Sequence, residues 1–268
     1  MTPELVDDLL AFITQSSANE ERFNALALRL FAHQFQNNLP FQRYCQQRGK
    51  TVRSVRHWHD IPAVPINAFK ELTLSCVPVD NCERVFMTSG TTRGDVKGRH
   101  YHPSMVLYDP SMRAHFKASF MQGRERIRMG ILFPTEQTLP NSSLAHYLAL
   151  ALKDFGTEDS GYYLDEQGLR FEPLCQALAH AQTSGTPLAL LGASYSFVHL
   201  MDRLHALGVT FQLPAGSRFL DTGGFKGQSR EVPMDAFYAQ LASTFGLNRS
   251  DCINMYGMTE LSTQFYDA

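Results

Sequence analysis

At 268 residues the chain is long enough for one large α/β domain or two small ones, and 44% hydrophobic against 19% charged residues is the balance of a globular protein with a real core. A formal net charge of -2 excludes the broad basic face that a nucleic-acid partner requires, and the absence of any run near 18 apolar residues excludes a helical membrane span. The acidic start Met1-Thr2-Pro3-Glu4-Leu5-Val6-Asp7-Asp8 is unlike a secretory signal, and Cys45, Cys76, Cys82, Cys175 and Cys252 are scattered without a C-x-x-C, so the expectation is a cytoplasmic protein with reduced thiols.

In chain order, Thr2-Pro3-Glu4 reads as an N-cap, an N1 proline and a first-turn acid, with Leu5, Leu9, Phe12 and Ile13 following at helical spacing. A second helix is predicted from Glu21 to Gln36, with Phe23, Leu26, Ala27, Leu30 and Phe31 on one face. Pro40-Phe41 starts a third, to Arg48, which Gly49 ends. The prolines in Ile61-Pro62-Ala63-Val64-Pro65-Ile66 make that stretch an extended connection leading to Ala68-Phe69-Lys70-Glu71.

From Arg84 the pattern changes to short apolar runs: Arg84 to Met87, Ile127 to Phe133, Leu188 to Gly192 and Arg218 to Asp221 read as largely buried strands. Helix-length segments separate them, at Pro103 to Phe120, Asn141 to Asp154, Pro173 to Ala181, Tyr195 to Leu207 and Pro233 to Phe245. The expected fold class is therefore α/β, a layered core over residues 81–268 with a helical region over 1–80 packed on it.

Between these elements lies Thr88-Ser89-Gly90-Thr91-Thr92-Arg93-Gly94-Asp95-Val96-Lys97-Gly98. Small residues let backbone N–H groups approach phosphate oxygens, hydroxyls donate further bonds, and Arg93, Lys97 and Arg99 outweigh Asp95. It lacks the Gly-Lys-Ser/Thr of a Walker loop, and on composition alone it also reads as an ordinary Gly/Thr-rich turn after a strand. Far downstream stands Asn254-Met255-Tyr256-Gly257-Met258-Thr259-Glu260, which on spacing alone is a turn followed by a helix N-terminus.

Together the two stretches resemble core motifs of the adenylate-forming superfamily, Thr-Ser-Gly-Thr-Thr-Gly-x-x-Lys-Gly and Tyr-Gly-x-Thr-Glu. The first matches with Arg93 inserted before its glycine, and the second at every defined position. The resemblance implies that Thr88, Ser89, Gly90, Thr91, Thr92, Gly94 and Lys97 hold the β- and γ-phosphates of ATP. Arg93 either reinforces that binding or points to solvent. It assigns Tyr256 to stacking on adenine, within a nucleotide-binding stretch that includes Asn254, Gly257 and Met258. Thr259 goes to the α-phosphate and Glu260 to Mg²⁺, so Thr259, Glu260 and Lys97 become the catalytic candidates. A π-face suits a purine, and a carboxylate is a hard ligand for a hard cation.

A Gly-Gly pair borders the adenine in that superfamily, which makes Gly223 and Gly224 of Asp221-Thr222-Gly223-Gly224 candidates; the alternative is a simple strand-to-helix loop. Phe133-Pro134-Thr135-Glu136-Gln137 with Pro140-Asn141-Ser142-Ser143-Leu144-Ala145-His146-Tyr147 resembles the acyl-protein synthetases of bacterial bioluminescence and their relatives. There the helix after such a loop borders the carboxylate substrate, which points to His146 and Tyr147, although a lone helical histidine is more often structural. Gly192-Ala193-Ser194-Tyr195-Ser196 nearly matches a nucleophile elbow, but Ser196 replaces its final glycine, so Ser194 reads better as acyl-pocket lining than as a hydrolase nucleophile. His57-Trp58-His59 and His100-Tyr101-His102 lack a third metal ligand and read as surface or packing residues.

The implied reaction is ATP-dependent activation of a carboxylic acid, a fatty one in this branch, as acyl-adenylate, with transfer to a protein cysteine or coenzyme A and an acyl-reductase as partner. The chain stops at Ala268, where the superfamily continues into a lid domain with a catalytic lysine. The expectation is therefore the N-terminal core alone, with impaired turnover. Two alternatives follow, a non-catalytic nucleotide- or acyl-binding remnant and a fragment of an aryl- or acyl-CoA ligase.

Overall fold

The computed structural model describes residues 1–15, 19–89, 96–225, 227 and 229–267, which divide into two compact units. The first comprises residues 1–114, 141–143 and 259–263; the second holds 115–140, 144–258 and the chain from Gln264.

In the first unit, α1 (Pro3–Ile13) opens with Thr2 Oγ1 accepting from the Leu5 N–H at 3.4 Å, and its buried Leu5 and Leu9 pack with Leu26 of α2 (Glu20–Asn37). Asn38 ends α2 and begins α3 (Leu39–Gln47): its N–H donates to Gln34 O at 2.8 Å, while its side-chain oxygen accepts from the Phe41 N–H at 3.2 Å. Phe31, Phe35, Phe41, Cys45 and Val55 close a second small core. Gly49, at φ +68°, turns the chain after α3 as expected. The proline-rich connection is neither helix nor strand and leads into α4 (Ala68–Glu71).

β1 (Arg84–Met87) pairs antiparallel with β2 (Arg99–His102), a strand that the apolar-run pattern does not predict. The helix expected from Pro103 starts later, as α5 (Tyr108–Phe116), because the Met105 N–H is held by Glu83 Oε2 and the Val106 N–H by Ser104 Oγ. It runs into a π-helical turn, Lys117–Met121, which Gln122 ends at φ +47°.

The second unit is built on a six-stranded sheet. Its elements are β3 (Arg128–Leu132), α6 (Ser143–Phe155), β4 (Gly161–Tyr162), the small hairpin β5 (Leu164–Asp165) and β6 (Gly168–Leu169), α7 (Phe171–Ser184), β7 (Leu188–Gly192), α8 (Ser194–Ala206), β8 (Arg218–Asp221), α9 (Met234–Phe245), β9 (Cys252–Tyr256) and β10 (Phe265–Tyr266). Strand order is β10-β9-β8-β7-β3-β4, parallel except for the β9–β10 pair. Every residue of β7 and β8 is buried, which is why both read as short strands without alternation. Phe197 of α8 stacks on Phe219 of β8 at 5.4 Å, and Phe219 meets Phe245 of α9 edge-on at 4.8 Å.

The chain is thus α/β, with a mostly parallel sheet and a helical N-terminal region. Register places Gly192 beside Asp221 and Asp221 beside Asn254, so the loops leaving β7, β8 and β9 emerge side by side at the carboxyl edge, where open α/β sheets bind ligands. The second motif corrects the reading from its spacing. Asn254 to Tyr256 end β9, and no helix follows among residues 257–264, because the chain turns back to pair Phe265 with Tyr256.

Candidate functional site

The first unit holds the ends of the expected phosphate loop. Beyond the last pair of β1 and β2, Met87 with Arg99, the Thr88 N–H donates to Gly98 O at 3.0 Å and the Gly98 N–H donates to Thr88 Oγ1 at 3.0 Å. Thr88 and Gly98 therefore form a clamped neck. Gly90, Thr91, Thr92, Arg93 and Gly94 lie outside the described residues. Ser89 and Lys97 are exposed on either side of that stretch.

Glu260 stands over the neck. A Cβ placed on Gly98 would meet Glu260 Oε1 at 3.1 Å and Thr88 Cγ2 at 3.2 Å, so the carboxylate and the threonine methyl crowd the space a side chain would take. Thr259 is fixed by its carbonyl, which accepts from His100 Nδ1 at 3.1 Å. Burial lowers the His100 pKa, offset only in part by that bond, and the ring packs against Phe69 at 5.6 Å and His102 at 4.1 Å. The structure thus brings Thr88, Gly98, Thr259 and Glu260 together from motifs far apart in sequence. Among the described residues, no cluster of three or more His, Cys, Asp or Glu is arranged for a metal. A single carboxylate beside the neck of the expected phosphate loop still fits Mg²⁺, which commonly takes one or two carboxylates and the substrate's phosphates.

The second unit holds the other candidates. At the end of β8, buried Asp221 accepts from Ser194 Oγ at 2.7 Å, the Gly223 N–H at 3.0 Å, Asn254 Nδ2 at 3.0 Å and the Tyr238 hydroxyl at 2.7 Å. Gly223 and Gly224 both adopt positive φ, +66° and +74°, in a turn begun by the Asp221 side chain. Tyr256, 53% exposed, ends β9 beside Phe265, and Gly257 and Met258 follow in the open loop. Ser194 begins α8 without the strained backbone of a nucleophile elbow, since Gln122 is the only non-glycine at positive φ among the described residues. Its hydroxyl serves a carboxylate, not a histidine.

His146 and Tyr147 lie buried on α6. His146 Nδ1 donates to Glu136 Oε1 at 2.7 Å, and the hydroxyls of Tyr147 and Tyr266 are 2.9 Å apart. Burial pushes the Tyr266 hydroxyl well above the usual phenol range. Sequence reasoning misses Asp221 as a hub, together with Tyr238, His100 and Tyr266. The Asp-x-Gly-Gly turn is a local signal for Asp221, whereas the other three contact their partners only through the fold.

The family described as acyl-protein synthetase, LuxE, matches residues 4–267. The long-chain-fatty-acid–luciferin-component ligase of Vibrio harveyi is 22% identical over 271 residues, covering 98% of this chain and 70% of that protein. The solved structure of 2-hydroxyisobutyryl-CoA ligase in the postadenylation state with R3-HIB-AMP matches with a TM-score of 0.62 at 11% identity, covering 91% of this chain and 49% of that one. The same ligase with 2-HIB-AMP and CoA in its thioesterification state gives 0.61 at 13%, covering 98% and 50%. The chain therefore spans about half the length of these solved structures and shares their fold over that half.

Proposed function

Because the chain belongs to the acyl-protein synthetase family, LuxE, we propose that it activates a long-chain fatty acid with ATP as the acyl-adenylate and passes the acyl group to a thiol. In the first step a carboxylate oxygen attacks the α-phosphorus. The new O–P bond forms as the bond to pyrophosphate breaks, and the protein's task is to orient the groups and neutralise charge.

Thr88, Ser89 and Lys97 hold the β- and γ-phosphates with the intervening Gly90, Thr91, Thr92, Arg93 and Gly94, and Thr259 donates its hydroxyl to the α-phosphate. Tyr256 offers its exposed ring to the adenine, bordered by Gly223, Gly224, Asn254, Gly257 and Met258. Mg²⁺, held by Glu260, would screen the triphosphate charge that the acid must approach. His100, kept neutral by burial, holds the Thr259 carbonyl and with it the placement of the residue beside Glu260. His146 and Tyr147 line the acid side, while Ser194 contributes there only its carbon, its hydroxyl being engaged by Asp221. The acceptor is a protein cysteine or coenzyme A, with an acyl-reductase downstream. Free thiols at all five cysteines suit a reducing cytoplasm, and no described helix is long and apolar enough to cross a membrane.

The observation that carries this reading is Glu260 Oε1 standing over the neck formed by Thr88 and Gly98. Exchange of labelled pyrophosphate into ATP tests it. The full chain with Mg-ATP and a long straight-chain fatty acid should catalyse exchange that requires the acid. No exchange, together with no heat of ATP binding up to millimolar nucleotide, would sink the proposal.

A further inference from the structure

We infer that Asp221 is a positioning residue for the nucleotide base, setting both edges of the adenine site through its own buried carboxylate and a ring of contacts that closes at the surface through Arg249 and Asp267; this rests on the adenylate-forming reading above. Asp221 is 4% exposed and its carboxylate accepts four bonds from four separate segments: Ser194 at the start of α8, Gly223 in the following loop, Asn254 in β9 and Tyr238 in α9. Two of these partners, Gly223 and Asn254, belong to the segments assigned to the adenine.

Asn254 is also held from a second direction. Arg249 lies over the Tyr238 ring at 3.8 Å, its Nη2 is 2.6 Å from Asp267 Oδ2, and Asp267 Oδ1 accepts the Asn254 N–H at 2.7 Å. The path Asp221–Tyr238–Arg249–Asp267–Asn254 therefore returns to Asp221, clamping Asn254 by side chain and main chain. A buried carboxylate is costly to keep unless fully bonded, and here two of its four donors, Gly223 and Asn254, stand in the segments whose orientation the base site needs. Only an acceptor-only side chain serves four donors; an amide would turn N–H groups toward some of them. This also accounts for Ser194, whose place after β7 resembles a nucleophile but whose hydroxyl completes the ring.

The test is Asp221→Asn and Tyr238→Phe in the full chain, comparing KM for ATP, KM for the acid and kcat in pyrophosphate exchange, with GTP as an alternative nucleotide. Asp221→Asn should raise the ATP KM about tenfold, as loss of hydrogen bonds to a charged group implies, leave the acid KM within about twofold and narrow the preference for ATP over GTP. Tyr238→Phe should raise the ATP KM about threefold with the same selectivity. A purely structural role lowers the melting temperature and the active fraction with both KM values unchanged, and that result overturns the inference. Should Asp221→Asn not fold, Ser194→Ala and Tyr238→Phe each remove one donor, and an unchanged ATP KM in both also overturns it. If the wild-type chain catalyses no exchange and binds no ATP, the activation reading falls and the inference with it. An active wild type with indifferent variants removes Asp221's role alone.

Discussion

The imidazole of His100 shows how one side chain links burial to the placement of a motif. Its folded pKa is held below the usual range by desolvation, so below about pH 6.5 the unfolded chain takes up a proton that the folded chain refuses. The stability this group contributes is present in full above that pH and is lost as the solution is acidified. His100→Gln should therefore melt with a shallower dependence on pH between 7.5 and 5 than the wild type, as scanning calorimetry would record. His33, also depressed by burial, is common to both proteins and cancels in the comparison; parallel curves would contradict the assignment. At this scale the sequence points to Thr88, Thr259 and Glu260 only through the paired resemblance of their two motifs, since on composition and spacing alone each stretch reads as a turn. It hides His100, whose partner lies 159 residues away and whose neighbours suggest only a histidine pair.

Among the elements, the α2–α3 corner depends on Asn38, which is buried and serves as C-cap to one helix and N-cap to the next. Asn38→Ala removes the acceptor for the Phe41 N–H in a place that water does not reach. It should cost about 1–2 kcal/mol in urea denaturation while leaving the ATP and acid KM values unchanged; a loss below about 0.3 kcal/mol would show the cap to be idle. Helices are legible because their burial writes a period and central strands because theirs makes an unbroken apolar run: Pro3–Ile13, Glu20–Asn37 and Leu188–Gly192 lie within a residue or two of the expected spans. β2 is not legible. Its Arg-His-Tyr-His has neither alternation nor an apolar run, since it pairs only with β1 in a two-stranded sheet. β10 is too short to leave any pattern, and without it the return that stops a helix after Tyr256 cannot be foreseen.

Over the whole molecule the five cysteines are free thiols in unlike surroundings. Cys45 and Cys252 are buried, and burial, helped by nearby Asp251, Asp221 and Asp267, pushes the Cys252 thiol up to about 12. At pH 8 its thiolate fraction is about a thousandfold below that of an ordinary cysteine, which makes it a poor nucleophile. Iodoacetamide treatment followed by peptide mass spectrometry should label Cys82 early and leave Cys45 and Cys252 unmodified; equal labelling of Cys252 would refute the burial argument. The reciprocal bonds between Thr88 and Gly98 carry a consequence of another kind. With the mouth of the hairpin latched, strand alignment no longer depends on how much chain is strung beyond it, and one additional residue alters the closure entropy by only about 0.1 kcal/mol. An extra residue such as the arginine at position 93 therefore leaves the scaffold beneath almost untouched.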